Sequence, residues 1–490
     1  MKRWFFPWRL VAALVFALLF LQVSSFAEEK QLSLTLKEAI ALSLEKNLSI
    51  ADERLLSKSS EAEVMVREGE FDPAFNLGLS QSNTKNPTVS LVTSGEEKTT
   101  SYDLSFGGKI NTGTTYELKW AGGRVKRSAT PFLTVNPYYF SGFSLSLTQP
   151  ILKGFGKSVQ ESSLNVARNS VDVSMLAVEN KASAVIADTS GAFWRLHYAR
   201  SGLKASVLSL ELAKSLREEI RARIDAGALA PVEIYKADAE VALREEALIG
   251  ARKAVYDAED ALKAVMNIED WETEILASEV PAEPSEANEE FQSAFGEALE
   301  KRPDYRAALI EQKNKALLRK YYDNQRLPSL NLTASSGLNG VDESFGGSVD
   351  ESTSGDFYSW LIGITFNIPL QNKIAKGNYM KARHEEDRAN LNILTLKQRI
   401  TAEVREAIRA VRLSRESVLA ARASLAASKT RLETEEAKLK LGMATINDVF
   451  TFQEDYSRSM AALDKALSDH ATATVMLEKA KGTLLKMRGL

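Results

Sequence analysis

The chain has 490 residues, with 62 Lys and Arg against 65 Asp and Glu, and no cysteine. The missing thiol excludes disulfides, thiolate metal sites, thiol nucleophiles and a lipid-modified N-terminal cysteine. A formal charge of -3 with 44% hydrophobic residues describes folded protein with no net basicity for a nucleic-acid backbone.

Lys2, Arg3 and Arg9 precede an almost wholly apolar run from Leu10 to Val23, which ends in Ser25-Phe26-Ala27 before Glu28. A positive start, a short apolar core and a small-x-small step predict a signal peptide over 1–27, cleaved after Ala27. No later stretch is apolar for the roughly 18 residues that a spanning helix needs. The mature chain is therefore expected to be exported, with neither a helix nor a lipid to hold it in a membrane.

Two stretches of the chain follow one plan. Leu36–Asn47 lies over Phe291–Arg302, with Ala39 on Ala294 and Leu44-Glu45-Lys46 on Leu299-Glu300-Lys301. In the same register Phe75-Asn76-Leu77 matches Leu330-Asn331-Leu332. Farther on, Gln149-Pro150-Ile151 resembles Ile368-Pro369-Leu370, and Gly227 through Ile234 lies over Gly442 through Val449. The chain thus reads as two internal repeats, 28–280 and 281–490. The joint between them is acidic and proline-bearing, from Trp271 to Glu290. The first repeat predicts a helix over 36–69, strands within 74–149, a long helix over 157–226 and a returning helix over 231–267. The second predicts a helix over 291–326, strands within 329–369, a long helix over 374–441 and a returning helix over 445–487.

The long helices carry a heptad seam. Val404, Val411, Val418, Leu425, Leu432 and Leu439 recur every seven residues, with Ala407, Ser414, Ala421 and Ser428 three residues on. Bulky and small layers in alternation predict a coiled coil whose helix axes approach closely. The first repeat shows the same seam at Leu196, Leu203, Leu210 and Ile224, broken by Arg217. The stretch from Lys157 to Ala226 has no proline and would span about 105 Å as a helix. Each long helix stops at a glycine, Gly227 or Gly442, which suits a sharp tip between antiparallel helices.

The strand segments alternate. Trp360, Ile362, Ile364, Phe366 and Ile368 interleave with Leu361, Gly363, Thr365 and Asn367; Phe143, Leu145 and Leu147 with Ser144, Ser146 and Thr148. A soluble sheet packed on one face alternates in the same way. Export, the lack of a helical anchor and the aromatics at Tyr138, Tyr139, Phe140, Tyr358 and Trp360 favour an outer-membrane wall. Ser/Gly/Asn/Asp-rich loops at Asn83–Thr99 and Gly337–Asp356 are expected outside. Four clear strands fall near 74–82, 139–149, 329–336 and 358–369, about four per chain. Closing a barrel takes about eight, so several chains must complete it together. A hairpin-like stretch, Tyr102–Phe106 and Tyr116–Trp120 around a turn at Gly107–Gly113, either stands above the membrane or adds two wall strands.

On these residues the chain resembles the TolC family of outer-membrane efflux proteins. The resemblance rests on the repeated Leu-Glu-Lys helix starts, the proline strand exits and the two tips, above all Leu441 through Val449. It implies an α+β membrane protein: a homotrimer whose twelve-stranded transmembrane β-barrel lies in outer-membrane lipid and continues into a long α-helical coiled-coil tunnel across the periplasm. It also implies docking to a periplasmic adaptor and an inner-membrane transporter, with no nucleic acid and no cofactor. Asp448 matches the aspartate that rings the periplasmic entrance in the family. A second aspartate is replaced by Thr451, and a closing arginine by Ala444, which leaves the latch to Arg221, Arg223, Asp225 or Glu233. Gly227, Ala228, Leu229, Leu441, Gly442 and Met443 match the tip turns that an adaptor contacts. Asp448 also fits a plainer role, its charge favouring a helix N-terminus.

No catalytic constellation stands out. His197, His384 and His470 are far apart, and no phosphate loop occurs. The expected function is a passive export channel and not an enzyme. The rival reading is a periplasmic coiled-coil structural or adaptor protein with a small soluble β domain.

Overall fold

The computed structural model describes residues 31–87, 95–128, 134–285 and 289–487. The predicted signal segment 1–27 lies outside these residues, as do 88–94 in the first expected loop and 286–288 in the joint. In chain order the first part comprises β1 (Gln31–Leu34), α1 (Leu36–Lys46), α2 (Leu48–Glu68), β2 (Ala74–Lys85), β3 (Glu96–Lys109), β4 (Thr115–Arg127) and β5 (Tyr138–Pro150). Then come α3 (Lys157–Gln160), α4 (Ser162–Asp225), α5 (Glu233–Met266) and β6 (Glu274–Ala277). The remainder comprises α6 (Phe291–Lys301), α7 (Pro303–Asn324), β7 (Ser329–Asp342), α8 (Phe345–Ser354), β8 (Tyr358–Asn367), α9 (Lys373–Lys440), α10 (Ile446–Lys481) and α11 (Leu484–Met487). The chain divides into two compact units. One takes the residues up to Asp52, Glu179–Arg302 and Arg399 onward; the other takes Glu53–Val178 and Pro303–Gln398.

In the first unit Thr35 opens α1 with a reciprocal cap. Its hydroxyl accepts the Glu38 N–H at 3.3 Å, and the Glu38 carboxylate accepts the Thr35 N–H at 2.8 Å. The core gathers Ile40, Phe193, Leu196, Leu262, Met266 and Val475, and each such side chain contributes about 1.5–3 kcal/mol on burial. β1 runs parallel to β6, with Gln31 opposite Glu274 and Leu34 opposite Ala277. The predicted joint therefore carries a strand, held by the fully buried Ile275. Arg200 on α4 donates to Glu259 Oε1 at 2.5 Å, Glu274 Oε1 at 2.8 Å and the Ile275 carbonyl at 2.8 Å. It fastens α4 to α5 and β6.

The helices predicted over 36–69 and 291–326 are each two helices. Asn47 and Arg302 interrupt them at matching places, with φ/ψ of -65°/122° and -63°/123°. Asn47 Oδ1 accepts the Ser49 N–H at 3.0 Å, a local turn that competes with the helix. Pro303 excludes helical backbone at the residue before it. Both side chains then reach the last turn of a returning helix. Asn47 Nδ2 donates to the Val265 carbonyl at 2.8 Å, and Arg302 Nη1 to the Ala480 carbonyl at 3.3 Å. Along the second seam Val404, Val418, Leu432 and Leu439 are buried. Its small polar members also bond across to α10: Ser414 with His470 Nδ1 at 2.9 Å, and Ser428 with Ser459 at 2.9 Å.

The second unit holds a six-stranded sheet in the order β2-β3-β4-β5-β7-β8, with every neighbour antiparallel. The expected count of about four strands is corrected. The stretch around Tyr102–Phe106 and Tyr116–Trp120 is β3 and β4, inside the sheet between β2 and β5. Gly107 belongs to β3 and not to the turn: a Cβ there would lie 2.7 Å from the Tyr116 carbonyl oxygen. The turn itself is closed by the Ile110 N–H on the Thr114 carbonyl at 2.9 Å.

Register sorts the two faces. Phe75, Phe106, Leu118 and Leu145 form one row across four strands, which continues to Ser336 and Trp360. The next row, on the opposite face, is Asn76, Ser105, Lys119, Ser144, Gly337 and Ser359. Strands β2 and β8 each have a single partner strand. The loop expected over Gly337–Asp356 is mostly ordered structure: β7 continues to Asp342, and α8 follows. α8 lies against β5 and β7. A Cβ at Gly340 would lie 2.2 Å from the Ser348 carbonyl oxygen, so only glycine admits the helix there. No described helix is long and apolar enough to cross a membrane.

Candidate functional site

Both long helices stop by the same device. At the first tip Gly227 has φ 73°, the Ala228 N–H bonds the Arg223 carbonyl at 2.8 Å and the Gly227 N–H bonds the Ile224 carbonyl at 2.9 Å. At the second, Gly442 has φ 75°, the Met443 N–H bonds the Lys438 carbonyl at 2.9 Å and the Gly442 N–H bonds the Leu439 carbonyl at 3.1 Å. This double bond at a left-handed residue satisfies carbonyls that the helix end leaves free.

The return differs between the tips. α5 starts at Glu233 with no side-chain cap. α10 starts with a capping box. The Thr445 N–H donates to Asp448 Oδ2 at 3.0 Å, the Thr445 hydroxyl donates to the same oxygen at 2.6 Å, and the Asp448 N–H returns to Thr445 Oγ1 at 3.2 Å. The Thr445 hydroxyl, then its backbone N–H, hold Asp448 below the usual carboxylate range, and Lys438 adds to this. The group is a cap and a standing negative charge together.

The two hairpins share one core. Leu216, Ile220 and Val241 of the first pack with Leu439, Val449 and Phe450 of the second. Leu229 is half-buried against this cluster, as is Ala444. Gly227, Ala228 and Gly442 are exposed, and Leu441 and Met443 protrude, 75% and 73% exposed. Of the six expected contact residues, five thus face outward and Leu229 secures the turn.

The expected gate residues are spread out. Asp225 is exposed. Glu233 takes the Lys236 ammonium at 2.8 Å. Thr451 donates to the Asn447 carbonyl at 2.9 Å, one turn back along α10. Of the four latch candidates, Arg223 alone bridges the hairpins, donating to the Leu439 carbonyl at 3.3 Å. Arg223 also pairs with Glu219 on its own helix.

Sequence reading missed the other bridge. Arg244 on α5 reaches Glu454 on α10 at 3.2 Å and Glu240 at 3.4 Å. The pairs Glu240/Arg244 and Glu454/Arg458 are visible as four-residue spacings. The bond between hairpins depends on their mutual register, which no spacing reveals.

Residues 294–483 match the family model described as outer membrane efflux protein. Over that stretch, fewer than half of the 490 residues, the chain is similar to this family. The match spans the second tip, with Gly442 and Asp448. The chain also shares its fold with solved channels. It is similar to the CmeC outer membrane channel of Campylobacter jejuni, with a TM-score of 0.67, 19% identity, and coverage of 92% of this chain and 86% of that one. It is similar to VceC of Vibrio cholerae, with a TM-score of 0.67, 14% identity, and coverage of 91% and 96%. The open-state MtrE channel of Neisseria gonorrhoeae gives 0.63, 17%, 92% and 89%. No curated protein matches the chain. The fold expected from the resemblance is met by these structures, and the second repeat by the family model.

Proposed function

We propose that the chain is one subunit of a homotrimeric export duct. The duct is passive, docks to a periplasmic adaptor and an inner-membrane transporter, and expels small molecules or proteins. The observation that carries this reading is the sheet, with one apolar and one polar face and two outer strands that have no second neighbour among the described residues. Open strand edges leave backbone groups unpaired, which lipid does not tolerate. Six strands are also fewer than the roughly eight needed to close a barrel. Copies of the chain therefore complete one another, and the apolar face meets lipid.

The tips supply the other end of the mechanism. Leu441 and Met443, beside Gly227, Ala228 and Gly442, form an exposed apolar surface for an adaptor hairpin, braced by Leu229. Asp448 contributes one carboxylate per copy, and three round a constriction attract cations. Asp225, Glu233 and Thr451 belong to the same two tips and add to the gate from positions apart from Asp448. Arg223 and Arg244 hold the two hairpins of a copy together and so act as the latch. The two-repeat plan over 28–280 and 281–490 is read as a duplication, supported by the matched breaks at Asn47 and Arg302 and the matched stops at Gly227 and Gly442.

The test is fractionation together with loss of export. The protein is expected in the outer membrane, as an SDS-resistant oligomer that collapses to the single chain on boiling. Cells lacking it are expected to accumulate a fluorescent efflux dye. A soluble monomer in the periplasmic fraction would overturn the reading in favour of the adaptor alternative.

A further inference from the structure

The β3–β4 hairpin occupies the interior of the sheet, yet it occurs in the first half of the chain and has no counterpart in the second, where β7 is followed directly by α8 and β8. Its strands carry the same two faces as their neighbours. Tyr102, Leu104 and Phe106 of β3 stand opposite Leu79, Leu77 and Phe75 of β2. Trp120 and Leu118 stand opposite Phe143 and Leu145 of β5. The apolar band therefore runs through the hairpin without a gap. The other face of the same two strands is the charged one, with Lys119 3.1 Å from Asp103 and Glu117 close by on β4. A hairpin standing in water has no need of an apolar row matched in register to the wall. β3 and β4 have 14 and 13 residues, enough for the roughly 9–11 that cross a bilayer. Since β2 pairs with β3 and not with β5, lifting the hairpin out of the wall would carry β2 away with it.

We infer that β3 and β4 are wall strands, so that three copies of six strands close an eighteen-strand barrel, with β2 of one copy joined antiparallel to β8 of the next. The number of copies rests on the export-duct reading above; the six strands per copy do not. Alternation along the sheet sends β2 and β8 in opposite directions, so the join between copies continues the same pattern. At a strand spacing of about 4.8 Å and a tilt of about 40°, twelve strands give a backbone radius of about 12 Å and eighteen about 18 Å. The wall is thus wide enough for a lumen lined by the Asp103, Glu117 and Lys119 of each copy.

The cysteine-free sequence makes the test direct. Single variants Phe106→Cys and Leu118→Cys in the hairpin, Ile364→Cys in β8, and their polar-face neighbours Ser105→Cys, Lys119→Cys and Thr365→Cys are spin-labelled in reconstituted bilayers. Collision with oxygen reports lipid, and collision with a water-soluble nickel chelate reports water. Oxygen is expected to dominate at 106, 118 and 364, and nickel at 105, 119 and 365. Water on both faces of the hairpin with lipid still at 364 overturns the wall role of β3 and β4 and leaves the duct standing. Water at 364 as well overturns the duct reading itself.

Double variants joining Leu77→Cys with Ile362→Cys, Ile364→Cys or Phe366→Cys then count the copies. Oxidation of the register-matched pair is expected to give a covalent ladder that ends at three chains. A ladder ending at two would mean a twelve-strand wall of two copies and would overturn the eighteen. No link from any of the three pairs, in protein that still runs as an SDS-resistant oligomer, overturns the β2–β8 join.

Discussion

Asp448 caps α10 through Oδ2 and stays ionised, because the bonds from Thr445 favour the charged form. Capping and gating then come apart by mutation. Asp448→Asn is expected to weaken the block of single-channel current by multivalent cations applied from the periplasmic side. Thr445→Ala removes the cap at a cost of about 1 kcal/mol but keeps the charge, and is expected to leave the block intact. Equal loss in both variants would assign the effect to the fold of the tip. His470 titrates in a different setting. Burial pushes it below the ordinary histidine range and Arg415 pushes the same way, against a backbone bond from Val411. The folded chain therefore releases this proton more readily than the unfolded one. Its contribution to stability is whole above the unfolded value of about 6.5 and is lost as pH falls below it. His197 is lowered likewise by burial, partly offset by Asp464. Urea melts between about pH 8 and about pH 5 are expected to show falling stability, and His470→Gln a flatter profile. An unchanged profile in that variant would move the effect to other groups.

At the scale of elements, the two tips are joined by few polar ties over a shared apolar core. Arg244, with its side chain 12% exposed, holds Glu454 across the hairpins. Arg244→Ala is expected to loosen the pair by about 1 kcal/mol, which corresponds to roughly a fivefold rise in open probability in planar bilayers. Unchanged gating would exclude Arg244 from the latch. The seam behind these tips was legible, because Val404 to Leu439 recur with the period that packing requires. The tip turns were legible because a left-handed stop selects glycine. The break at Asn47 was hidden, since asparagine alone does not forbid a helix, whereas the break at Arg302 was written in Pro303 and passed over because the apolar pattern resumes beyond it. α8 was hidden too. Its sequence, rich in Gly and Ser, is a poor helix former, and the contact with Gly340 on β7 decides its structure. Arg244 could not be assigned a partner for the same kind of reason: its partner is set by the register between helices far apart in sequence.

At the scale of the whole molecule, the export-duct reading assigns anchoring to one face of a sheet. Ile364 is 71% exposed in the single chain, and Thr365 points the other way on β8. Ile364→Lys is expected to reduce insertion into the outer membrane, at about 2–4 kcal/mol for a charge near mid-bilayer, whereas Thr365→Lys is tolerated. Comparable amounts of both variants in the membrane fraction would contradict the assignment of faces. The alternation itself was readable in β2, β5 and β8. The wall character of β3 and β4 was not. Their Gly107-Gly108 and Gly122-Gly123 pairs look like turns, and only pairing on both sides shows that they are points of close backbone approach.

The hairpin has one more consequence, for how such a wall can change size. A single extra strand would reverse every strand after it and bring the two outer edges together running the same way, which would replace the antiparallel hydrogen-bond pattern at the seam with a slanted parallel one. A two-strand insertion leaves both edges pointing as before, so the seam between neighbours still fits. Girth can therefore grow only in even increments per subunit, each multiplied by the symmetry of the ring, while the junctions between subunits stay unaltered.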